Sequence, residues 1–273
     1  MPAKSKLGQN FLRDQAAIER IINALGDLTG RTVVEIGPGQ GAITAALARR
    51  AARLIAVELD TALANALRKR FANQQTPAAV TILQQDVLAF DFAAAAREAR
   101  EPLLVVGNLP YYITSPILLR LARNAGTIDR AVLMVQREVA QRVTAEPGSR
   151  DYGLLTATCA LYGTAEELFT LPPEAFSPPP KVYSTVFRWS FAPQFAALGI
   201  PEAPFLAFLK QVFAQKRKTL SNNLRAAGFS PETIADAERS ASIPAHARAE
   251  SLPINQLAQL WRTLQPSSPT LAQ

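Results

Sequence analysis

From Arg31 onward, short apolar runs alternate with longer stretches whose apolar positions recur at helical spacing. The runs at 32–36, 54–57, 80–83 and 103–106 predict strands, with helices between them. Near-continuous apolar strands separated by helices of about 10–15 residues indicate βαβ units and a parallel sheet covered on both faces. A fifth strand is predicted at 131–135, leading into a helix that carries Arg137, Glu138 and Arg142. The prolines of 176–184 make a stiff loop before a strand at 185–189, because each fixes its own φ. Past 191 the pattern changes. Pro193, Gly199, Pro201 and Pro204 interrupt the chain, and short helices follow at 205–213, 219–227 and 231–239. The fold class predicted is therefore α/β, a Rossmann-like domain with a mostly parallel sheet over residues 1–191, followed by a small all-α domain over 192–273.

An open parallel sheet binds ligands at the carboxyl ends of its strands. The first run ends in Glu35-Ile-Gly-Pro-Gly-Gln-Gly41 and the second in Glu58; Asp86 follows the third and Asn108 the fourth. The topology gathers these residues along one rim without any assumption about function.

Composition narrows the chemistry. The 273 residues are 48% hydrophobic, enough for one full core and a smaller second unit. Twenty-nine Lys and Arg against 22 Asp and Glu leave a formal charge of +7, which favours a polyanionic partner; a solvated basic surface is the alternative. Cys159 is the only cysteine and His246 the only histidine, so internal disulfides, thiolate zinc sites and a histidine base are excluded, and no metal is expected. Cys159 reads as a small buried apolar side chain and His246 as surface. No apolar run reaches signal-peptide or membrane-span length, so a soluble, cytoplasmic protein is expected.

In Gly37-Pro-Gly-Gln-Gly41 the glycines permit positive φ and close backbone approach, although a purely structural turn would use them too. The spacing is Gly-x-Gly-x-Gly, not the dinucleotide Gly-x-Gly-x-x-Gly, and no Lys or Arg stands ready for a phosphate. Glu58 can accept bonds from both ribose hydroxyls, as in nicotinamide proteins. Asp86 then favours S-adenosylmethionine, because a third acid can receive an adenine amine; a helix cap is its structural alternative. Asn108-Leu109-Pro110-Tyr111 is the most specific element. An exocyclic adenine amine is a poor nucleophile because its lone pair is delocalised into the ring. Acceptors at the Asn108 side-chain oxygen and the Leu109 carbonyl would favour the pyramidal amine that attacks a methyl sulfonium. Pro110 stiffens the turn, and Tyr111 offers a stacking face for an extruded base.

With these motifs the chain resembles the S-adenosylmethionine-dependent adenine dimethyltransferases of small-subunit ribosomal RNA, and the resemblance covers most of its length. Leu7-Gly-Gln-Asn-Phe-Leu12 is similar to the family's N-terminal cofactor motif, which implies cofactor contacts from Asn10 and the Leu12 backbone. Gly37, Glu58, Asp86 and Asn108 fall on the remaining cofactor positions. Val135–Arg142, Pro147-Gly148 and Asp151–Gly153 match the segments that follow. The 176–184 loop resembles the one whose phenylalanine, here Phe176, would sandwich the target base opposite Tyr111. Lys216–Leu220 with Asn223 resembles a basic segment of the C-terminal domain. Tyr183 and Lys216 depart from the family's usual Asp and Arg, which bears on RNA contacts.

The resemblance implies 16S rRNA in the small subunit or its precursor as partner, two adjacent adenosines near the RNA 3′ end as targets, a role in subunit biogenesis and a monomeric enzyme. The related alternatives are a large-subunit adenine methyltransferase of the macrolide-resistance type and a DNA adenine methyltransferase; an assembly factor that uses methylation as a release signal is a third. Arg49-Arg50-Arg53, Arg68-Lys69-Arg70 and Lys216-Arg217-Lys218 are either RNA-backbone contacts or solvated helix faces. Residues 191–273 carry 8 basic against 5 acidic side chains and 1–190 carry 21 against 17, so a broad footprint is expected.

Overall fold

The branched apolar side chains of these runs form the central strands of the sheet in the computed structural model, which describes residues 10–72 and 75–265. The strands are β1 (Phe11–Leu12), β2 (Thr32–Ile36), β3 (Arg53–Glu58), β4 (Ala79–Gln84), β5 (Leu103–Asn108), β6 (Ile128–Gln136), β7 (Gly163–Leu171), β8 (Phe176–Ser177) and β9 (Ser184–Phe191). Helices α1 (Gln15–Ala24), α2 (Ala42–Leu47), α3 (Thr61–Ala72), α4 (Phe92–Ala99), α5 (Thr114–Ala122), α6 (Arg137–Val143) and α7 (Leu154–Tyr162) precede, cross between or follow them. Five further helices follow among the described residues: α8 (Phe195–Leu198), α9 (Glu202–Val212), α10 (Leu220–Ala226), α11 (Pro231–Ser240) and α12 (Ile254–Leu264).

Seven strands run in the order β4-β3-β2-β5-β6-β9-β7, and β1 pairs with β8 in a separate ribbon. β4 through β6 are parallel to one another, while β9 is antiparallel to β6. Strand order reverses between β2 and β5, which is where open α/β sheets bind ligands. There Ile36 pairs with Gly107, so the glycine loop and Asn108 leave the sheet side by side. A Cβ at Gly107 would lie 2.9 Å from the Ile36 carbonyl oxygen, so only glycine permits this approach.

One face is covered by α1, whose Ala17, Ile18, Ile21 and Ile22 pack with Val33, Leu47, Leu104 and Met134. Each large aliphatic side chain so buried contributes about 1.5–3 kcal/mol. Asp14 fixes where α1 begins, its Oδ1 accepting the Ala17 N–H at 3.0 Å.

The described chain divides into two compact units, one of residues 10–140 with 164–192 and one of 141–163 with 193–265. A single cut near 192 therefore does not describe the division: the chain enters the second unit within α6 and returns at β7 before leaving again. The second unit is helical. Phe205, Leu209, Leu224, Leu257 and Leu260 are buried in it, and Phe205 meets Trp261 edge to face with ring centroids 6.0 Å apart.

Candidate active site

The Gly37–Gly41 loop is shaped by positive φ at Gly37, Gly39 and Gly41, +65°, +56° and +79°. A Cβ at Gly39 would meet the Phe11 ring at 2.8 Å, and one at Gly41 would meet Leu67 at 2.6 Å. The loop thus needs glycine both for its backbone angles and for the side chains packed against it.

A solvent-open cleft with about 760 Å³ of empty space runs past this loop, lined by Asn10, Leu12, Glu35, Gly37, Glu58 and the whole of Asn108–Tyr111, among others. A second, likewise open hollow with about 480 Å³ of empty space shares Gly37, Glu58 and Pro110 with it and adds Leu59, Asp86, Tyr112, Ile113 and Ile117. The sequence-predicted residues Asn10, Leu12, Gly37, Glu58, Asp86, Asn108, Leu109, Pro110 and Tyr111 therefore lie around two adjoining hollows. Leu7, Gly8 and Gln9 lie outside the described residues.

Glu58 is buried, and its carboxylate is fixed by two main-chain donors: Gly39 N–H to Oε2 at 3.0 Å and Asp60 N–H to Oε1 at 2.9 Å. Each oxygen keeps capacity for a second donor, which suits a ribose diol. Asp86 is exposed, caps the turn after β4 by accepting the Leu88 N–H at 2.9 Å, and also lines the second cavity. Both readings drawn from its sequence position thus have a physical basis. The apolar walls of that cavity, Ile36, Val57, Val87 and Ile117, suit a planar ring.

Asn108 Nδ2 donates to the main-chain carbonyl of Asn10 at 2.9 Å. That bond assigns the amide orientation and leaves Oδ1 without an internal donor among the described residues. Leu109 N–H donates to Met134 O at 2.9 Å, tying the turn to β6. The Tyr111 hydroxyl pairs with Ser184 Oγ at 2.9 Å. Phe176 differs from this group. It is 4% exposed, paired with Leu12 and packed in the core with Ala175 and Val186, and it lines neither cavity.

Glu35 has a prominence that its place at a strand end did not reveal. It is 2% exposed, lines the larger cleft, and its Oε2 has no hydrogen-bond partner among the described residues. Burial pushes its carboxyl up to about 7; the nearby Thr44 hydroxyl and amide oppose the shift, and the Glu58 charge adds to it. A buried acid with an unpartnered oxygen in a cleft calls for a cationic or donor group from a ligand. The sequence signal was its position in the same motif as the glycines.

Among the described residues, no three His, Cys, Asp or Glu side chains are grouped to hold a metal ion. Cys159 is buried, with its thiol pushed up to about 12 by desolvation, and His246 is exposed. No helix among the described residues is long and apolar enough to cross a membrane.

The family model for ribosomal RNA adenine dimethylase matches residues 2–265. The chain is 59% identical over 265 residues to the ribosomal RNA small subunit methyltransferase A of Acidobacterium capsulatum, covering 97% of this chain and 92% of the relative. It is 48% identical over 272 residues to the protein of the same name from Koribacter versatilis, covering 96% and 94%. Among solved structures it resembles a 23S rRNA methyltransferase, ErmE, with TM-score 0.73 and 26% identity over 93% of this chain and 99% of that one. A dimethyladenosine transferase from Plasmodium falciparum shares the fold, with TM-score 0.75 and 22% identity over 92% and 95%.

Sheet, rim and neighbours together define a Rossmann-like S-adenosylmethionine-dependent methyltransferase acting on RNA. The chain belongs to the ribosomal RNA adenine dimethylase family, and its reaction is N6,N6-dimethylation of adenosine.

Proposed function

We propose that the enzyme dimethylates the N6 amines of two adjacent adenosines near the 3′ end of 16S rRNA, within the small ribosomal subunit or its precursor. It works as a cytoplasmic monomer with a part in subunit biogenesis. The small-subunit substrate is supported by the 59% and 48% identical relatives, against 26% for the large-subunit enzyme.

S-adenosylmethionine supplies an electrophilic methyl group when bound. The cleft fits it: Glu58 would hold the ribose hydroxyls, Asp86 and the apolar second cavity the adenine, and the buried Glu35 carboxylate the ammonium. Gly37 leaves room for close backbone approach. Asn10 and Leu12 close the cleft from the N-terminal side.

The observation that carries the catalytic reading is the orientation of Asn108. Its Nδ2 is committed to Asn10 O, so the free Oδ1 is the atom offered to the substrate amine. With the Leu109 carbonyl it accepts both amine hydrogens, which localises the nitrogen lone pair and aims it at the methyl group. No base is needed beforehand, because the amine becomes acidic only as it is alkylated. Pro110 keeps the turn rigid. Tyr111 supplies one stacking face; Phe176 supplies the opposite one only if the β1·β8 ribbon gives way, since its ring is packed in the core.

Asn108→Ala should lower single-turnover methyl transfer to unmethylated small subunits by ~10²–10³-fold while subunit binding persists. Wild-type turnover by that variant would remove Asn108 from the mechanism. Loss of binding together with turnover would make Asn108 a docking residue instead.

A further inference from the structure

Ser184 opens β9 immediately after the triproline loop and is wholly buried. A buried hydroxyl needs a partner, and its Oγ finds the Tyr111 phenol oxygen at 2.9 Å. The backbone around Ser184 is firmly held: it pairs with Gln136 in the β6·β9 ladder, and Arg137 N–H donates to the neighbouring Tyr183 carbonyl at 3.0 Å. Tyr111 has less support of its own. It is half-buried in a single 3₁₀ turn, Tyr111–Ile113, that follows Pro110.

These contacts close a circuit. Asn108 is tied to Asn10, the next two residues form β1, and β1 pairs with β8 at Phe176. The loop that starts at Phe176 ends at Ser184, which returns to Tyr111. The Asn108–Tyr111 turn is thus held at both ends by segments distant in sequence. The Asn10 tie sets the amide that receives the amine, and the Ser184 tie anchors the far end of the ring beside it.

We propose that Ser184 is a positioning residue for base capture, its hydroxyl fixing the Tyr111 ring so that an extruded adenine meets a preset stacking face. The inference rests on the reading of Tyr111 as the base platform. A phenyl ring without the anchor retains its stacking area and loses its fixed direction, so part of the ordering must occur during binding. Losing one neutral hydrogen bond of this kind should lower kcat/KM for RNA by about 3- to 10-fold. Cofactor affinity should stay within about twofold, because neither hydroxyl is needed to hold it.

The test uses the full chain and small subunits reconstituted with 2-aminopurine at one target adenosine, whose emission reports stacking of the extruded base. Ser184→Ala and Tyr111→Phe remove the same bond from its two sides. Each should reduce the emission change and lower kcat/KM, and the double variant should be no worse than either single one. Additive losses overturn the proposal. So do wild-type emission and kcat/KM in Ser184→Ala, whatever its melting temperature. Should Ser184→Ala fold poorly, Tyr111→Phe alone must still show the loss, since it leaves the strand untouched. No emission change with the wild-type protein overturns the platform reading itself, and this inference with it.

Discussion

Glu35 and Glu58 stand at the ends of neighbouring strands in the same cleft, yet the structure gives them opposite conditions. Two main-chain N–H groups receive Glu58, whereas Glu35 has an oxygen with no partner among the described residues and a carboxyl raised from an ordinary 4.5 to about 7. Because the folded state binds the Glu35 proton more tightly than the unfolded chain does, its favourable contribution is full below about 4.5. That contribution is lost as pH rises through about 7. The local slope approaches about 1.4 kcal/mol per pH unit and does not extend above that window. A cationic ligand group reverses the preference, since it attracts the ionised form. Cofactor binding should therefore tighten as pH rises from about 6 to about 8, and Glu35→Gln should flatten both the binding and the stability profiles across that range. Calorimetric titration with thermal melts at each pH is the check; a wild-type pH profile in Glu35→Gln would remove this carboxylate from cofactor binding. Sequence showed Glu35 only as a strand end, because burial and the missing partner depend on how Thr44 and the loop pack around it.

The loop between α9 and α10 is the element whose role turns most on charge. Asn223 is buried beneath it and donates through Nδ2 to Val212 O at 2.8 Å and Gln215 O at 3.3 Å, which shapes the backbone that presents Lys216, Arg217 and Lys218. All three are exposed, and Lys216 Nζ reaches the Arg150 carbonyl at 2.8 Å. Other basic clusters are partly committed elsewhere: Arg50 pairs with Glu19 at 2.5 Å and Arg53 with Glu98 at 2.6 Å. Replacing Lys216, Arg217 and Lys218 with alanine should weaken RNA binding and flatten its salt dependence by roughly one unit of logarithmic slope per lost phosphate contact. An unchanged slope in a filter-binding series would return the segment to solvated surface. Element by element, the pattern was legible where apolar runs were continuous, as in β2 and β5. β7 was hidden because Glu166 and Glu167 interrupt Gly163–Leu171 and only its two end positions are buried. The two-residue strands β1 and β8 carry no periodicity at all, although their pairing joins the N-terminal segment to Phe176. In α12, Leu257, Leu260, Trp261 and Leu264 do follow helical spacing, but the prolines nearby obscured where the helix begins.

For the whole molecule, the βαβ order was enough to bring four strand ends to one rim, because parallel strands put all their carboxyl ends on the same side. Membership of the two units was harder to read. Residues 141–163 belong with the C-terminal helices although they precede two strands of the main sheet, and composition changes only near 192. Likewise Phe176 was recognisable as an aromatic on a proline loop, while its burial depends on pairing with a segment more than 160 positions earlier. The choice of RNA belongs to this scale, since Asn108–Tyr111 would serve any accessible adenine.

The most direct measurement supplies labelled S-adenosylmethionine with unmethylated small subunits, large-subunit RNA and duplex DNA in parallel, then identifies the products by nucleoside mass spectrometry. N6,N6-Dimethyladenosine is expected at two adjacent positions near the 16S rRNA 3′ end and in none of the other samples. Dimethyladenosine in the large-subunit sample alone would contradict the substrate assignment, and binding to small subunits without methyl transfer would contradict the catalytic one.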